Sequence, residues 1–317
     1  FEFLFEFLHG CHVFYLTRVP SPAIIAQAFK DVKPAIVIAV PLVIEKIIRK
    51  KVFPQIQNTK VKLLMKMPGV GKKVKKRICE QVYQAFGGNL YEVIIGGAAL
   101  NQEIESFLKD IDFPFTVGYG ATECAPIITY SDWHDFVPMS CGREVVHMEV
   151  KIDSENPETV PGEILARGLN VMLGYYKNDE ATAQTIDKDG WYHTGDLGLM
   201  DKGGNVFIKG RSKNMLLGPN GQNIYPEEIE DKLNSMTFAM ESVVVQRDGK
   251  LVGLVHPDFD EVQAMGLSRD DLQSLMEENR VQVNANLPVY CKIAAIEIHD
   301  EEFEKTPKKS IKRYLYK

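Results

Sequence analysis

The feature that most constrains the fold is a repeated order of helix and buried strand that ends in two glycines. The apolar run AIVIAV is typical of a buried strand, and it lies between two helix patterns, SPAIIAQAFKDVKP and LVIEKIIRKKVF. FYLTRV, just upstream, is interpreted as a further strand. The stretch VYQAFGGNLYEVIIGGA repeats the order and ends its strand at Gly96 and Gly97. Parallel sheets bind ligands at the carboxyl edge, so this glycine pair marks a candidate site.

The pattern changes twice further along the chain. Residues 140–210 lose the helical period, and short alternating runs (HMEVKI, GEILAR, NVFIKG) predict a small antiparallel β subdomain. Residues 213–317 mix strands (SVVVQ, LVGLVH, AAIEIH) with helices (PEEIEDKLNSM, SRDDLQSLMEENRVQVNANL) and predict a compact α+β domain. The boundary falls near Arg211 and Lys213. We therefore expect an α/β protein with two domains, residues 1–211 and 212–317.

Residues 191–230 combine a T-G-D turn, a G-R pair and a Gly/Asn-rich loop, in that order. The Asp196 carboxylate suits two hydrogen bonds from a vicinal diol such as a ribose. Arg211 is a permanently charged fork donor suited to ribose or phosphate oxygens. Pro226, followed by two glutamates, predicts a helix start. Together these features indicate a nucleotide site near a domain boundary.

This block resembles the adenylate-forming ligases, which include acyl-CoA synthetases, the adenylation domains of peptide synthetases, and luciferases. Residues 118–123 (GYGATE) are similar to the Y-G-x-T-E motif of that family, and residues 96–100 (GGAAL) to its G-G-A-x-L adenine-pocket loop. Residues 161–178 resemble its G-E-x-x-x-R-G…G-Y motif. VPLVIEKIIRK, and the K-N that follows the G-R-S of residues 210–212, are most similar to long-chain fatty acid–CoA ligases. The motifs are ordered, and jointly they are highly specific.

The resemblance implies both an architecture and a reaction. Residues 1–211 would be the C-terminal part of a large adenylation domain, with a parallel sheet, helices and a small β subdomain. Residues 212–317 would be a small, mobile α+β domain. ATP, Mg²⁺ and CoA are implied as cofactors and a long-chain fatty acid as substrate. The product would be acyl-CoA, formed through an acyl-adenylate with release of AMP and pyrophosphate.

The family's residue roles carry over onto matching positions. Glu123 would hold Mg²⁺ as a hard oxygen ligand, and Thr122 would donate its hydroxyl to a phosphate. Tyr119 would stack on adenine, a contact of about 1 kcal/mol. Gly118 and Gly120 would let the backbone approach the nucleotide and the acyl chain. The other implied cofactor-binding residues are Gly96, Gly97, Ala98, Asp196, Arg211, Lys213, Gly218, Gly221 and Asn223.

The resemblance assigns Lys213 as the hinge about which the C-terminal domain rotates between two half-reactions. One orientation forms the acyl-adenylate, and the other brings the loop of Gly218, Gly221 and Asn223 to CoA. A hinge needs a residue that absorbs a large change of φ and ψ, not a special side chain. A solvated linker lysine is the alternative interpretation, and it is compatible with the hinge.

Two features depart from the family pattern. The family's phosphate-binding loop, rich in Ser, Thr and Gly and ending in Lys-Gly, is not among these 317 residues. At the C-terminal motif, Ser310 occupies the position of the family's adenylation lysine. Lys308, Lys309 and Lys312 surround it, and we predict that Lys309 takes over that catalytic role.

Composition is ordinary for a folded protein, with 45% hydrophobic and 25% charged residues. A net charge of −6 gives no nucleic-acid signature. The five cysteines are scattered without C-x-x-C spacing and indicate reduced thiols in a cytoplasmic protein. Cys124 could line a pocket, or it could be a small buried apolar residue. His193 is interpreted as a structural or rim residue and not as a catalytic base, because a carboxylate substrate is already ionised at neutral pH.

The N-terminal run FEFLFEFLHGCHVFYL is too short and too charged for a membrane span, and it lacks the features of a signal peptide. With no initiator Met, it suggests a chain cut from a longer protein. The basic run at residues 60–77 could contact anionic lipid head groups or the phosphates of CoA. The alternative is a solvated helical hairpin on the surface.

The parent protein is therefore predicted to be a cytoplasmic long-chain fatty acid–CoA ligase, with peripheral membrane contact left open. An alternative of a different class is that the chain itself is an inactive fragment that binds AMP or CoA. A third interpretation is that the parent protein is another acyl or aryl adenylating enzyme.

Overall fold

The computed structural model describes residues 3–15, 22–56, 63–65, 67, 69–218, 221–306 and 311–316. The chain divides into two compact units. The first comprises Phe1–Thr194 and Gly198–Ile208, and the second comprises Gly195–Leu197 and Lys209–Lys317. Each unit has its own hydrophobic core. The predicted division into domains at residues 211 and 212 stays a prediction.

The first unit begins with helices around a short strand. Its first elements are α1 (Leu4–Leu8), α2 (Pro22–Val32), β1 (Ile36–Ala39), α3 (Pro41–Ile47) and α4 (Phe53–Ile56). A π-helical turn, Ile48–Val52, joins α3 to α4. Pro41 lies in the first turn of α3, where its missing N–H removes no helical hydrogen bond. The helix predicted over LVIEKIIRKKVF is thus present, with a wider turn in its middle.

The next elements complete a parallel sheet of three strands. They are α5 (Val70–Ala85), β2 (Glu92–Ile95), α6 (Gln102–Asp110) and β3 (Phe115–Val117). The order is β1-β2-β3, and Val93 pairs with Val37 on one side and Phe115 on the other. Asn101 caps α6 by accepting from the backbone N–H of Glu103. Side chains from these elements fill the core of this unit, among them Phe86, Val93, Ile95, Ile104, Leu108 and Phe115.

Short strands follow the parallel sheet. They are β4 (Tyr119–Gly120), β5 (Ile127–Tyr130), β6 (Arg143–Glu144), β7 (Met148–Asp153), β8 (Gly162–Gly168), β9 (Tyr192–Met200) and β10 (Val206–Arg211), with helix α7 (Asp179–Thr185) before β9. One sheet has the order β4-β5-β6 and another the order β10-β9-β8-β7. β7 and β8 are antiparallel, with Met148 opposite Gly168. The runs HMEVKI, GEILAR and NVFIKG are strands, as predicted.

The second unit is built on a mixed sheet. Its elements are β11 (Leu216–Leu217), β12 (Asn223–Ile224), α8 (Pro226–Asn234), β13 (Ala239–Arg247), β14 (Lys250–Pro257), α9 (Phe259–Ala264), α10 (Arg269–Ala285) and β15 (Ile293–Ile298). β13 and β14 form an antiparallel hairpin, and β15 pairs parallel to β14 after α9 and α10. Ser268 and Asp271 form a capping box at the start of α10. The core includes Ile229, Leu233, Val255, Met276 and Val283.

The predicted fold class is confirmed, because a parallel sheet with helices and small β-sheets precede an α+β unit. The predicted strand FYLTRV is wrong at its first two residues. Phe14 and Tyr15, which begin the predicted strand FYLTRV, lie in irregular backbone, and residues 16–19 of that prediction lie outside the described residues. None of the helices in the described ranges has the length and apolar character needed to cross a bilayer.

Candidate functional site

Two of the sequence motifs meet at the carboxyl edge of the parallel sheet. The G-G-A loop follows the end of β2, and the Y-G-A-T-E segment follows the end of β3. The backbone N–H of Gly118 donates to Ile95 O at 2.9 Å, and that of Gly96 donates to Ala39 O at 3.1 Å. Gly97 has a φ of 85° and is exposed, as is Ala98. The topology therefore brings the predicted adenine-pocket loop beside Gly118, at the start of the segment that carries the predicted phosphate and metal residues.

The segment after Tyr119 makes a tight reversal that presents Thr122 and Glu123. The Ala121 N–H donates to Pro126 O at 2.8 Å, and a Cβ at Gly120 would collide with that same oxygen. Glycine at 120 is therefore required by the chain's own packing, a reason that the motif did not reveal. Thr122–Cys124 forms a 3₁₀ turn on which Thr122 is exposed and Glu123 half-buried.

Two residues of this segment are buried. The Tyr119 side chain is 8% exposed and belongs to the core of the first unit, so its stacking on adenine stays a prediction. Cys124 is fully buried, and burial raises the pKa of its thiol to about 12. Of the two interpretations of Cys124, the structure supports a small buried residue and not a thiol that lines a pocket.

Glu123 is held by the loop that follows β8. The Tyr175 hydroxyl donates to Glu123 Oε1 at 3.0 Å, and the Met172 N–H donates to Glu123 O at 2.7 Å. Asn170 Nδ2 donates to Cys124 O at 2.6 Å. Partial burial, followed by the bond to Glu123, raises the pKa of Tyr175. Thus one loop positions both the backbone and the carboxylate of Glu123.

Sequence reasoning did not single out Tyr175 or Asn170. Both lie inside residues 161–178, which were matched as a motif without a role for either side chain. The only available signal was the G-Y pair that ends that motif. A contact across 52 residues between Tyr175 and Glu123 leaves no periodic pattern in the sequence.

The donor chemistry at Glu123 fits Mg²⁺. No cluster of three or more His, Cys, Asp or Glu side chains among the described residues could hold a metal ion by itself. Mg²⁺ commonly binds through one or two carboxylates together with substrate phosphates and water. One half-buried carboxylate with a fixed orientation meets that requirement when a nucleotide supplies the other oxygens.

Asp196 and Arg211, both in the second unit, form an ion pair. Arg211 Nε lies 2.7 Å from Asp196 Oδ1, and the two side chains are 61% and 10% exposed, respectively. Gly195, with a φ of 71°, and Asp196 lie within strand β9, so the T-G-D segment is part of a strand and not the predicted turn. A nearly buried carboxylate beside an exposed guanidinium offers an acceptor and a fork donor to the same polar ligand.

The predicted hinge and CoA loop also lie in the second unit. Lys213 is exposed in the 3₁₀ turn Ser212–Asn214. Gly218 and Gly221 lie at the turn between β11 and β12, where the Gly221 N–H donates to Gly218 O at 2.9 Å, and Asn223 is exposed in β12. The three loop residues are thus brought together. Lys309 and Ser310 lie outside the described residues, so the lysine substitution stays a prediction.

His193 lies between two carboxylates. Its Nδ1 is 2.9 Å from Glu163 Oε2, and its Nε2 is 3.7 Å from Asp187 Oδ2. The hydrogen bond to Glu163 is the main cause that raises the pKa of His193. This arrangement links β8 and β9 on the sheet surface and agrees with a structural role.

A family model described as AMP-binding enzyme matches residues 1–176. That is more than half of the chain. The chain belongs to the AMP-binding enzyme family. The resemblance to adenylate-forming ligases is therefore confirmed, and it places acyl and aryl CoA ligases among the relatives of this protein.

Relatives in this family include several CoA ligases. The long-chain-fatty-acid–CoA ligase ACSBG2 of Rattus norvegicus is 30% identical over 72% of this chain and 36% of its own length. The putative acyl-CoA synthetase YngI of Bacillus subtilis is 37% identical over 58% of this chain and 32% of its own length. 4-Coumarate–CoA ligase 1 of Glycine max is 38% identical over 52% and 60%, respectively. The chain spans about a third of the length of the first two.

Solved structures agree on the fold. The O-succinylbenzoate CoA synthetase of Bacillus subtilis, in complex with AMP, superposes with a TM-score of 0.72 at 19% identity, covering 98% of this chain and 56% of that one. The same enzyme has been solved with ATP and a magnesium ion, with a TM-score of 0.69. The structural similarity extends over both units of this member of the AMP-binding enzyme family.

Proposed function

We propose that this chain carries part of the catalytic machinery of an AMP-forming ligase that activates long-chain fatty acids. The reaction converts ATP, fatty acid and CoA into acyl-CoA, AMP and pyrophosphate through an acyl-adenylate. The observation that carries the proposal is the hydrogen bond from Gly118 N–H to Ile95 O, 2.9 Å long. It joins two nucleotide motifs at the carboxyl edge of a parallel sheet, where such sheets bind ligands.

Within the first unit, each residue of the joined motifs has a proposed task. Glu123 holds Mg²⁺, which when bound neutralises phosphate charge and favours attack by the anionic carboxylate. Thr122 is exposed on the same turn and donates its hydroxyl to a phosphate oxygen. Tyr119 contacts the adenine. The remaining adenine contacts are proposed for Gly96, Gly97 and Ala98, while Gly118 and Gly120 let the backbone approach the nucleotide and the acyl chain.

Within the second unit, Asp196 accepts hydrogen bonds from the ribose diol, and Arg211 contributes charged donors. Their ion pair orients the guanidinium before a ligand arrives, which lowers the ordering cost of binding. Lys213 is proposed as the pivot between half-reactions. The turn with Gly218, Gly221 and Asn223 is proposed to meet CoA, and Lys309 to supply the adenylation cation.

The long-chain substrate is supported by the similarity of VPLVIEKIIRK to fatty acid ligases and by relatives such as the rat enzyme. The soybean relative favours a second candidate, an aryl acid substrate such as 4-coumarate. Competition kinetics on the catalytically competent parent protein distinguish a fatty acid substrate from an aryl acid substrate. We expect kcat/KM for palmitate to exceed that for 4-coumarate by about tenfold or more. A preference for 4-coumarate would reject the fatty acid assignment.

A separate experiment concerns the 317-residue chain as it stands. Its sequence contains no Ser/Thr/Gly-rich loop ending in Lys-Gly to cradle the β- and γ-phosphates. We therefore expect no palmitate-dependent ATP–pyrophosphate exchange above that of a Glu123→Ala control. Exchange clearly above the control would contradict the inactive-fragment interpretation, while binding of AMP without exchange agrees with it.

A further inference from the structure

The amino-terminal half of α5 carries a cluster of cations that the proposed reaction does not use. Residues 60–77 contain eight Lys or Arg and no Asp or Glu, in a protein whose net charge is −6. We name Lys72, Lys73, Lys76 and Arg77 the basic patch. All four are exposed, while Gly71, Ile78 and Val82 bury the opposite face of the helix.

The basic patch has no partner within the described part of the chain. None of its four residues forms an ion pair there, whereas Lys75 pairs with Asp110 at 2.5 Å. Intramolecular pairing therefore accounts for Lys75, while the four patch residues form no ion pair among the described residues, although Glu80 is exposed on the same helix face. Their mutual repulsion is relieved when an anionic surface approaches.

The position of the patch also argues against a role in stabilising the helix. A helix N-terminus carries a partial positive charge, so Lys72 and Lys73 in the first turn raise the local energy. Gly69, at the N-cap, offers no side-chain cap, and the first turn of α5 contains no acidic residue. Helix stability would be better served by acidic residues here, so the cations point to an external partner.

Exposed apolar side chains directly precede the patch in the sequence. Leu63, Met67 and Val70, which we name the apolar rim, are 64%, 45% and 41% exposed. Val70 begins α5, and the backbone before it lies close to the helix start, because Gly71 N–H donates to Met67 O at 2.8 Å and a Cβ at Gly71 would collide with Met65 O. Exposed apolar side chains beside unpaired cations match the chemistry of an interfacial, membrane-surface element.

We propose that the basic patch and the apolar rim together dock this protein onto an anionic lipid bilayer. The cations meet phospholipid head groups, and the rim enters the boundary between head groups and acyl chains. Nucleic acid and the phosphates of CoA would use the cations but would leave the rim in water. The docking surface is independent of the adenylation chemistry, and it would hold the protein where lipid-derived acids are found.

Vesicle flotation of the whole 317-residue chain tests this proposal. We expect binding to vesicles of equal parts phosphatidylcholine and phosphatidylglycerol, little binding to phosphatidylcholine alone, and loss of binding at high salt. Replacing all four patch residues by Gln should weaken partitioning by about a hundredfold or more, since each cation contributes near a charged surface. Leu63→Gln with Met67→Gln should weaken the binding measured at low salt, because the rim no longer enters the bilayer.

The matched control removes the same charge elsewhere. Lys188, Lys202, Lys250 and Lys292 are exposed and form no ion pair among the described residues, and their joint replacement by Gln should leave binding within about twofold. Equal weakening by both quadruple variants would show a general charge effect and overturn the proposal. The proposal is also overturned if the native chain does not bind anionic vesicles. Binding of CoA through the patch without binding of anionic vesicles would overturn it as well. Thermal melting confirms that each variant is folded.

Discussion

Arg313 and Glu230 form a bidentate ion pair that ties the C-terminal segment to helix α8. Arg313 Nη1 lies 2.5 Å from Glu230 Oε1, and Nη2 lies 2.6 Å from Oε2. The same guanidinium donates to Val244 O at 3.1 Å, and the Val244 N–H donates to the carboxylate. Both carboxylate oxygens of Glu230 and both Nη atoms of Arg313 are therefore hydrogen-bonded within the pair and strand β13.

This pair predicts a large stability effect in the second unit. Arg313→Met leaves the Glu230 carboxylate, which is 8% exposed, without its counter-charge, and should cost about 3–5 kcal/mol of unfolding free energy. The double variant Arg313→Met with Glu230→Leu should recover most of that loss, because no buried charge remains. Urea unfolding measures both.

The control is an exposed pair of the same type. Arg247 Nη1 lies 2.7 Å from Glu297 Oε2, with side chains 42% and 51% exposed. Arg247→Met should cost at most about 1 kcal/mol. A similar cost for Arg313→Met, or no recovery in the double variant, would contradict the role assigned to the buried pair.

The Asp196–Arg211 pair predicts a nucleotide effect. Asp196→Ala removes the proposed ribose acceptor and the partner of Arg211, so nucleotide affinity in the competent enzyme should fall by about 2–4 kcal/mol. ATP titration of the adenylation rate measures it. Glu228→Ala, which removes an exposed acid 2.8 Å from Lys209, is the control and should change affinity within about twofold. An unchanged KM for ATP in Asp196→Ala would refute the ribose assignment.

The hydrogen bond from Tyr175 to Glu123 predicts a metal effect. Tyr175→Phe removes a donor to the carboxylate, so Glu123 loses its fixed orientation. The Mg²⁺ concentration for half-maximal adenylation should rise by about threefold to tenfold, with KM for the fatty acid unchanged. Tyr176→Phe is the matched control, because Tyr176 is 88% exposed beside it. Equal responses of the two variants to Mg²⁺ would exclude Tyr175 as a positioning residue.

His193 predicts a pH-dependent contribution to stability. Its folded pKa is raised above the usual 6.5, chiefly by the hydrogen bond to Glu163. The protonated form is therefore favoured in the folded state, so the stabilisation is fully present below pH 6.5 and is lost as pH rises through the folded pKa. His193→Gln should lower the melting temperature more at pH 5.5 than at pH 8.5, because the imidazole loses its proton, and with it the stabilisation, between about those two pH values. A pH-independent difference would contradict this assignment.

Much of the first unit was predictable from local pattern. The run AIVIAV is strand β1 and SPAIIAQAFKDVKP is helix α2, because β-branched apolar runs and proline-bounded amphipathic patterns act on neighbouring residues. FYLTRV was a wrong prediction at Phe14 and Tyr15. A short apolar run is compatible with a strand but becomes one only when a neighbouring strand supplies hydrogen bonds.

The motif residues of the candidate site were predictable from the sequence, but the side chains that position them were not. Glu123, Asp196 and Arg211 stand in ordered motifs, so their residue types and order indicated a nucleotide site. The side chains that position them were not predictable, because Tyr175 reaches Glu123 across 52 residues. Nothing in the spacing of those residues marks the contact.

The sequence by itself determined most of the helices and strands, the family, and the residues that carry polar chemistry. Those features depend on backbone preferences and on side-chain types that act within a few residues. The tertiary structure alone decided that Gly118 bonds Ile95, that Tyr175 holds Glu123, and which four cations of the basic run have no ion-pair partner among the described residues. These are outcomes of packing between distant segments, where burial and the geometry of hydrogen bonds select one partner among many that the sequence allows.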